Sequence, residues 1–246
     1  MKTTRNIIAA LLLLLVWGGG SGGAKADAER DTIITQVAKV STSVGALYAQ
    51  EEQGDIKFLC TISAVGEEAG KTIGLTANHC LQKGVAYLAN FGDNQLRPST
   101  AWKIPHYVVD DKKYPRRYDE PETDMALFLI SGPKIPALAL STQPKPPVGT
   151  RVLMVGFPLG VAKIAYEGSL AGYFDRPGSD VSGYLLLQIF GNAGSSGSAV
   201  INAETGQVVG ILAAATSSGF GLPVIFAVPI GYQENLMPVR PNGKEK

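Results

Sequence analysis

Gly191-Asn192-Ala193-Gly194-Ser195-Ser196-Gly197-Ser198-Ala199-Val200 is the stretch on which the reading of this chain turns. It lies between two apolar runs, Tyr184 to Phe190 and Ala199 to Ile201. Three glycines and three serines between two strand-like runs predict a tight, backbone-rich turn. Small residues let main-chain N–H groups crowd around one point. A hydroxyl held there, facing donors that stabilise an oxyanion, is what acyl transfer requires. The plain alternative is a flexible Gly/Ser loop, common in all-β proteins. The rest of the chain decides between them.

Working outward, short apolar runs punctuated by 29 glycines and 15 prolines favour an all-β chain. On the N-terminal side Val44 to Tyr48, Ile56 to Ile62, Thr72 to Thr76, Val85 to Phe91 and Met125 to Ile130 read as strands. Leu96 to Glu122 is polar and carries four prolines, so it reads as long loops around a strand near Tyr107 to Val109. Gly132 to Gly149 holds five prolines and reads as a linker with little regular structure. Beyond it come Arg151 to Val155, Ala165 to Tyr173, Tyr184 to Phe190, Ala199 to Ile201, Val208 to Ala215 and Val224 to Val228. Two sets of about six strands predict two small antiparallel β-barrels side by side. The first covers about 33–131, the linker 132–147 and the second 148–239. Gln233 to Val239 reads as a short closing helix or tail.

The first 26 residues read as a targeting segment. Lys2 and Arg5 precede an unbroken apolar run, Ile7 to Trp17, and Ala24-Lys25-Ala26 fits a small-x-small cleavage site. The expected mature chain is therefore 27–246, exported to the periplasm or the medium. Eleven apolar residues are short for a membrane span, so no lasting anchor is expected. Asp27 to Ser41 places Ile33, Ile34, Val37 and Val40 on one helical face, predicting a short helix. A formal charge of +1 without a basic run argues against a nucleic-acid partner.

A serine hydroxyl needs a base, and the chain has two histidines, His79 and His106, both before Ser196. An α/β-hydrolase places its histidine last, within a G-x-S-x-G framework; here Ser198 stands where the second glycine belongs, so that class is excluded. The order histidine, aspartate, serine remains open. His79 follows an apolar strand and precedes Cys80, a setting that suits a base. His106 sits in a polar loop and reads as a surface residue. The orienting carboxylate is expected at Asp124, at the lip of the strand Met125 to Ile130, where it can be buried and still bonded to the base. Asp110, Asp111, Asp119 and Glu122 read as surface acids. A Cys/His metal site is the competing idea, but the cysteine spacing suits no zinc motif, so neither metal nor cofactor is expected.

Thr76-Ala77-Asn78-His79-Cys80, Thr123-Asp124-Met125-Ala126-Leu127 and Gly194-Ser195-Ser196-Gly197-Ser198-Ala199-Val200 resemble the three signature blocks of chymotrypsin-fold serine proteases, in that family's order. Val148-Gly149, Val152 to Pro158, Val209-Gly210-Ile211 and Phe226 to Ile230 are similar to strands of its bacterial HtrA and glutamyl-endopeptidase members. The resemblance covers roughly Ile34 to Met237. It implies Ser196 as nucleophile, His79 as general base and then acid, and Asp124 as orienting carboxylate. It further implies an oxyanion hole from the N–H groups of Gly194 and Ser196, and substrate pairing along Leu212, Ala213, Ala214 and Ala215. Cys60 and Cys80 match the family's disulfide beside the histidine, a pairing that export also favours.

The departures carry information too. Ser195 stands where digestive members carry an aspartate that captures a freed N-terminus, so that activation route is not expected. Leu212 replaces the histidine of glutamyl endopeptidases. Phe190, Ala213 and Ala215 are apolar near the implied S1 pocket, which predicts small or medium aliphatic P1 residues. No stretch is left for a PDZ domain. The expected function is an exported serine endopeptidase acting on proteins or peptides through an acyl-enzyme. The alternative from another class is a non-catalytic or latent binding module on the same fold.

Overall fold

The order of strands in each half follows from where the apolar runs and turns fall. The computed structural model describes residues 20–103, 124–143, 145–174, 184–216 and 224–230. An N-terminal unit, Met1–Ala38, is separate from a second unit, Lys39–Lys246, that holds the β structure. Helix α1, Gly20–Ser41, begins seven residues before the expected Asp27 and runs through Ala24-Lys25-Ala26 without a break. Among the described residues no helix is long and apolar enough to cross a membrane.

The first barrel comprises β1 (Val44–Gln50), β2 (Ile56–Glu68), β3 (Lys71–Thr76), β4 (Ala86–Asn90), β5 (Arg97–Lys103) and β6 (Ala126–Ile130). The second comprises β7 (Arg151–Gly156), β8 (Ile164–Phe174), β9 (Tyr184–Gln188), β10 (Ala199–Asn202), β11 (Val208–Thr216) and β12 (Val224–Pro229). Both are closed, antiparallel and six-stranded, as expected. Going round, the first runs β1-β2-β3-β6-β5-β4 and the second β7-β8-β9-β12-β11-β10, which is one topology used twice. Closure leaves neither barrel an open edge for aggregation.

Each barrel fills its interior from alternate strand positions. Leu47, Ile62, Ala89, Phe128 and Ile130 form the first core, and Met154, Leu170, Leu185, Val200 and Ile225 the second. Phe128 is fully buried, with Tyr87 packed edge-on against its ring. Truncating such a residue to Ala costs about 3–5 kcal/mol.

Strand β5 departs from expectation. It occupies Arg97–Lys103, inside the region read as loop, whereas Tyr107 to Val109 lies outside the described residues, as do His106 and Gln233 to Val239. The reason is chemical. Inward positions of β5 carry Arg97 and Ser99, which are buried and partnered: Arg97 Nη1 donates to Asp93 Oδ1 at 2.8 Å while its Nε has no partner among the described residues, and the Ser99 hydroxyl donates to Arg97 O at 3.0 Å. An apolar alternation is therefore hidden. The Pro-rich linker is also better held than its composition implies. Ile135 joins the first core, and Leu138 N–H donates to Ala64 O at 2.8 Å. Ser141 N–H donates to Val208 O at 2.8 Å, and Val208 N–H to Ala139 O at 2.8 Å, tying the link to the second barrel.

Candidate active site

Strands β3 and β6 lie side by side with Thr76 opposite Ala126. The chain leaving β3 and the chain entering β6 therefore emerge at the same barrel end. His79 is three residues past Thr76 and Asp124 two before Ala126, so register alone brings them together. His79 sits in a 3-10 turn, Asn78–Cys80, and the Cys60–Cys80 disulfide anchors that turn to β2.

The pair is joined twice. The His79 backbone N–H donates to Asp124 Oδ1 at 2.9 Å. The ring Nδ1 lies 2.9 Å from Oδ2 and 3.0 Å from Oδ1. A carboxylate only accepts, so Nδ1 holds the proton and Nε2 presents a lone pair. The Asp124 hydrogen bond raises the His79 pKa above its ordinary 6.5, opposed by burial and assisted by the carboxylate's charge. The Asp124 side chain is 16% exposed and that of His79 47%, so the carboxylate is sheltered while the ring's far edge meets solvent.

The ring and the sulfurs of Cys60 and Cys80 cluster with ligand atoms within 4.8 Å of one another. Both sulfurs are spent in the disulfide and carry no thiolate charge, so the set as it stands does not suit zinc.

The turn carrying Ser196 follows β9 and reaches the first barrel. Its fold depends on two positive φ angles, +86° at Gly194 and +82° at Gly197, which favour glycine. Both glycines are also closely packed. A Cβ on Gly194 would lie 2.6 Å from Phe157 O, and one on Gly197 would collide with Thr61 O and Thr76 Oγ1. Gly197 thus rests on the strand end that leads to His79. Among the described residues no hydrogen bond links the Ser196 hydroxyl to the His79 ring. Catalytic hydrogen bonds are often long or misaligned in a free enzyme and tighten when substrate binds.

The peptide planes of the turn have defined orientations. Leu159 N–H donates to Ala193 O at 2.6 Å, and Ser198 N–H to Ser195 O at 3.0 Å. In a trans peptide the N–H points opposite to the C=O of the same unit. The N–H groups of Gly194 and Ser196 are therefore turned away from these bonds, and among the described residues neither has a backbone partner. Ser195 is buried, its N–H donating to Asn192 O at 2.9 Å and its hydroxyl accepting from Asn192 N–H at 3.4 Å. The turn is closed on itself by these two bonds.

The implied substrate residues divide into two groups. Ala214 and Ala215 are exposed, whereas Ala213 is buried beside the bulge in the β11–β12 ladder. Leu212 is committed elsewhere: its C=O accepts from Gly197 N–H at 2.8 Å and its N–H donates to Ser198 O at 2.9 Å. It anchors the turn, which leaves Ala213 to Ala215 as the stretch open to pairing. Phe190 is 53% exposed, its ring 5.2 Å from that of Tyr166. Sequence reading passed over Leu159, which holds a left-handed φ of +56° in the turn Pro158–Gly160. The signal present was Pro158-Leu159-Gly160, a turn tripeptide lying far from Ser196 in sequence.

Two matching barrels with a histidine–aspartate pair and a serine turn between them define a chymotrypsin-like fold. Residues 62–211 match the trypsin-like peptidase domain, a span that contains His79, Asp124 and Ser196. The chain belongs to the trypsin-like peptidase family. It is similar to a probable periplasmic serine endoprotease, DegP-like, of Pseudomonas putida, with 31% identity over 113 residues. That match covers 45% of this chain but 24% of the relative, so the chain spans only part of the curated relatives' length. Among solved structures it is similar to the HtrA-type protease AlgW with a tripeptide, with a TM-score of 0.62 and 20% identity over 81% of this chain and 60% of the other. A serine endoprotease from Yersinia pestis aligns with a TM-score of 0.60 and 17% identity, over 80% and 62% of the two chains.

Proposed function

We propose that this chain is an exported serine endopeptidase that cleaves extended peptides through an acyl-enzyme. The observation that carries the reading is the Nδ1–H bond from His79 to Asp124, which leaves Nε2 free at the barrel end where the Ser196 turn packs. In this reading Nε2 takes the Ser196 proton as Oγ attacks the scissile carbonyl, and Asp124 stabilises the imidazolium formed. The Gly194 and Ser196 N–H groups receive the oxyanion. Imidazolium then protonates the leaving amine, and water repeats the sequence to release the acid.

The peptide runs along Ala213 to Ala215 as an added strand, consistent with the exposure of Ala214 and Ala215. The AlgW structures with a tripeptide or a decapeptide support a peptide ligand. Gly191 packs on Leu212 and Ile225: a Cβ there would lie 3.3 Å and 3.0 Å from their Cδ1 atoms. These apolar surroundings support small or medium aliphatic P1 residues; a peptide library cleaved mainly after Arg, Lys or Glu contradicts that. The leader-like N-terminus and the periplasmic DegP-like relative support export to the periplasm.

The test is mass spectrometry after treatment with a fluorophosphonate. One adduct, mapped to Ser196 and absent from Ser196→Ala, is expected. A folded protein that takes up no adduct overturns the reading in favour of a latent or non-catalytic module.

A further inference from the structure

Four consecutive peptide units of the serine turn are pinned, and one buried residue, Thr61, holds two of them. The unit 193–194 is held by Leu159 N–H on Ala193 O. The unit 194–195 is held at both ends, by the Thr61 hydroxyl donating to Gly194 O at 2.9 Å and by Ser195 N–H donating to Asn192 O. The unit 195–196 is held by Ser198 N–H on Ser195 O. The unit 196–197 is held by Thr61 N–H donating to Ser196 O at 2.9 Å and by Gly197 N–H donating to Leu212 O. Thr61 thus grips two of the four units, one with its backbone and one with its side chain.

Its other bonds extend the same framework. Phe157 N–H donates to Thr61 Oγ1 at 3.0 Å, which fixes the start of the turn that places Leu159. Thr61 O accepts from the Thr76 hydroxyl at 2.7 Å, three residues before His79. A hydroxyl has one proton and two lone pairs, so donating to Gly194 O while accepting from Phe157 N–H uses it as a linker between two loops. Thr61 is fully buried, and its branched Cβ restricts χ1, so the linker is preset. Valine has the same shape without the hydroxyl.

We propose that Thr61 is a positioning residue: by fixing units 194–195 and 196–197 from the opposite barrel and, through Phe157, the turn that carries Leu159, it sets the orientation of the adjoining units whose N–H groups, on Gly194 and Ser196, face the oxyanion. The proposal rests on reading those two groups as the oxyanion donors. It concerns the preset geometry of the site and does not place Thr61 against substrate.

The test compares Thr61→Val and Thr61→Ser with the wild type. The fluorophosphonate inactivation rate is followed against pH, and amide hydrogen exchange is measured at Phe157 and Ser198. Thr61→Val is expected to lower the plateau rate about 10- to 100-fold, approaching the loss of an oxyanion donor. Its acid midpoint should stay unchanged, since Thr61 does not touch His79. Exchange at Phe157 and Ser198 should quicken about tenfold or more, with Leu153 and Met154 of β7 unchanged. Thr61→Ser should restore both readouts to within about threefold. A Thr61→Val protein with wild-type rate and exchange, or a Thr61→Ser protein as impaired as Thr61→Val, overturns the proposal. If the wild type forms no adduct, the peptidase reading falls separately. Exchange then decides whether Thr61 holds the turn.

Discussion

The two barrels share one strand order and place their candidate site residues at the same corner, the loop after the third strand, yet they hold that loop by different means. In the first barrel this is residues 77–85, with His79. In the second it is residues 189–198, with Ser196. The first loop is secured by a covalent bond, Cys60–Cys80, and by the hydrogen-bonded pair of His79 and Asp124. The second is secured by backbone hydrogen bonds and by glycines at positive φ, and Thr61 of the first barrel bonds it twice, N–H to Ser196 O and hydroxyl to Gly194 O. One barrel therefore holds its histidine loop covalently, and the other holds a turn that depends on its neighbour.

The widest test of this division is non-additivity. If each barrel supplies half of a single device, Ser196→Ala and His79→Ala each abolish peptide hydrolysis to a similar degree, by about 10⁴-fold or more, and the double variant is little worse. Losses that multiply, read from kcat/KM, would separate the two corners into independent contributors.

Asp124→Asn breaks only the first corner. A fall in kcat of about 10³- to 10⁴-fold is expected, because the amide no longer fixes the Nδ1–H tautomer. The acid limb of the rate profile should move to lower pH, since the bond to Asp124 is the main cause of the raised His79 pKa. The same shift carries a stability signature. A raised histidine stabilises the fold fully below its ordinary 6.5, and that contribution fades as pH rises through the higher folded value. Denaturant titrations should therefore show Asp124→Asn costing more stability at pH 5 than at pH 9.

The disulfide sharpens the contrast in stability. Replacing both Cys60 and Cys80 with Ala is expected to lower unfolding free energy by about 3 kcal/mol, on the chain-entropy account of a loop this size. Urea unfolding measures it.

The smallest effect is at Leu159. Leu159→Gly keeps the N–H donor and relieves a left-handed backbone, so stability should rise by about 1 kcal/mol with kcat within about twofold of wild type. Leu159→Pro removes the donor and cannot adopt a φ of +56°, so it should rearrange the turn and lower kcat about tenfold. Equal activity in the two variants would detach the 157–161 turn from the serine turn.

Much of this was legible in the chain because the signals were local. The Gly/Ser turn, the His79-Cys80 pair after a strand and Asp124 at a strand lip each announced themselves within a few residues. Twelve strands in two sets followed from short apolar runs, with β5 the exception, its inward positions being polar and paired. What stayed hidden was long-range. Thr61 reads as an ordinary β-branched strand residue, and its partners Gly194 and Phe157 lie far along the chain. Leu212 reads as part of a substrate strand because nothing in its neighbours shows that Gly197 and Ser198 claim both its backbone groups. Backbone hydrogen bonds between loops leave no compositional trace.

The central claim is that His79, oriented by Asp124, activates Ser196 across the barrel boundary. The most direct measurement is the rate of fluorophosphonate addition to Ser196 as a function of pH, in wild type and in His79→Ala. The account predicts a rate that rises through a single ionisation above the ordinary histidine value and collapses in His79→Ala. A Ser196 adduct that forms at the same rate, with the same pH dependence, when His79 is absent would contradict it.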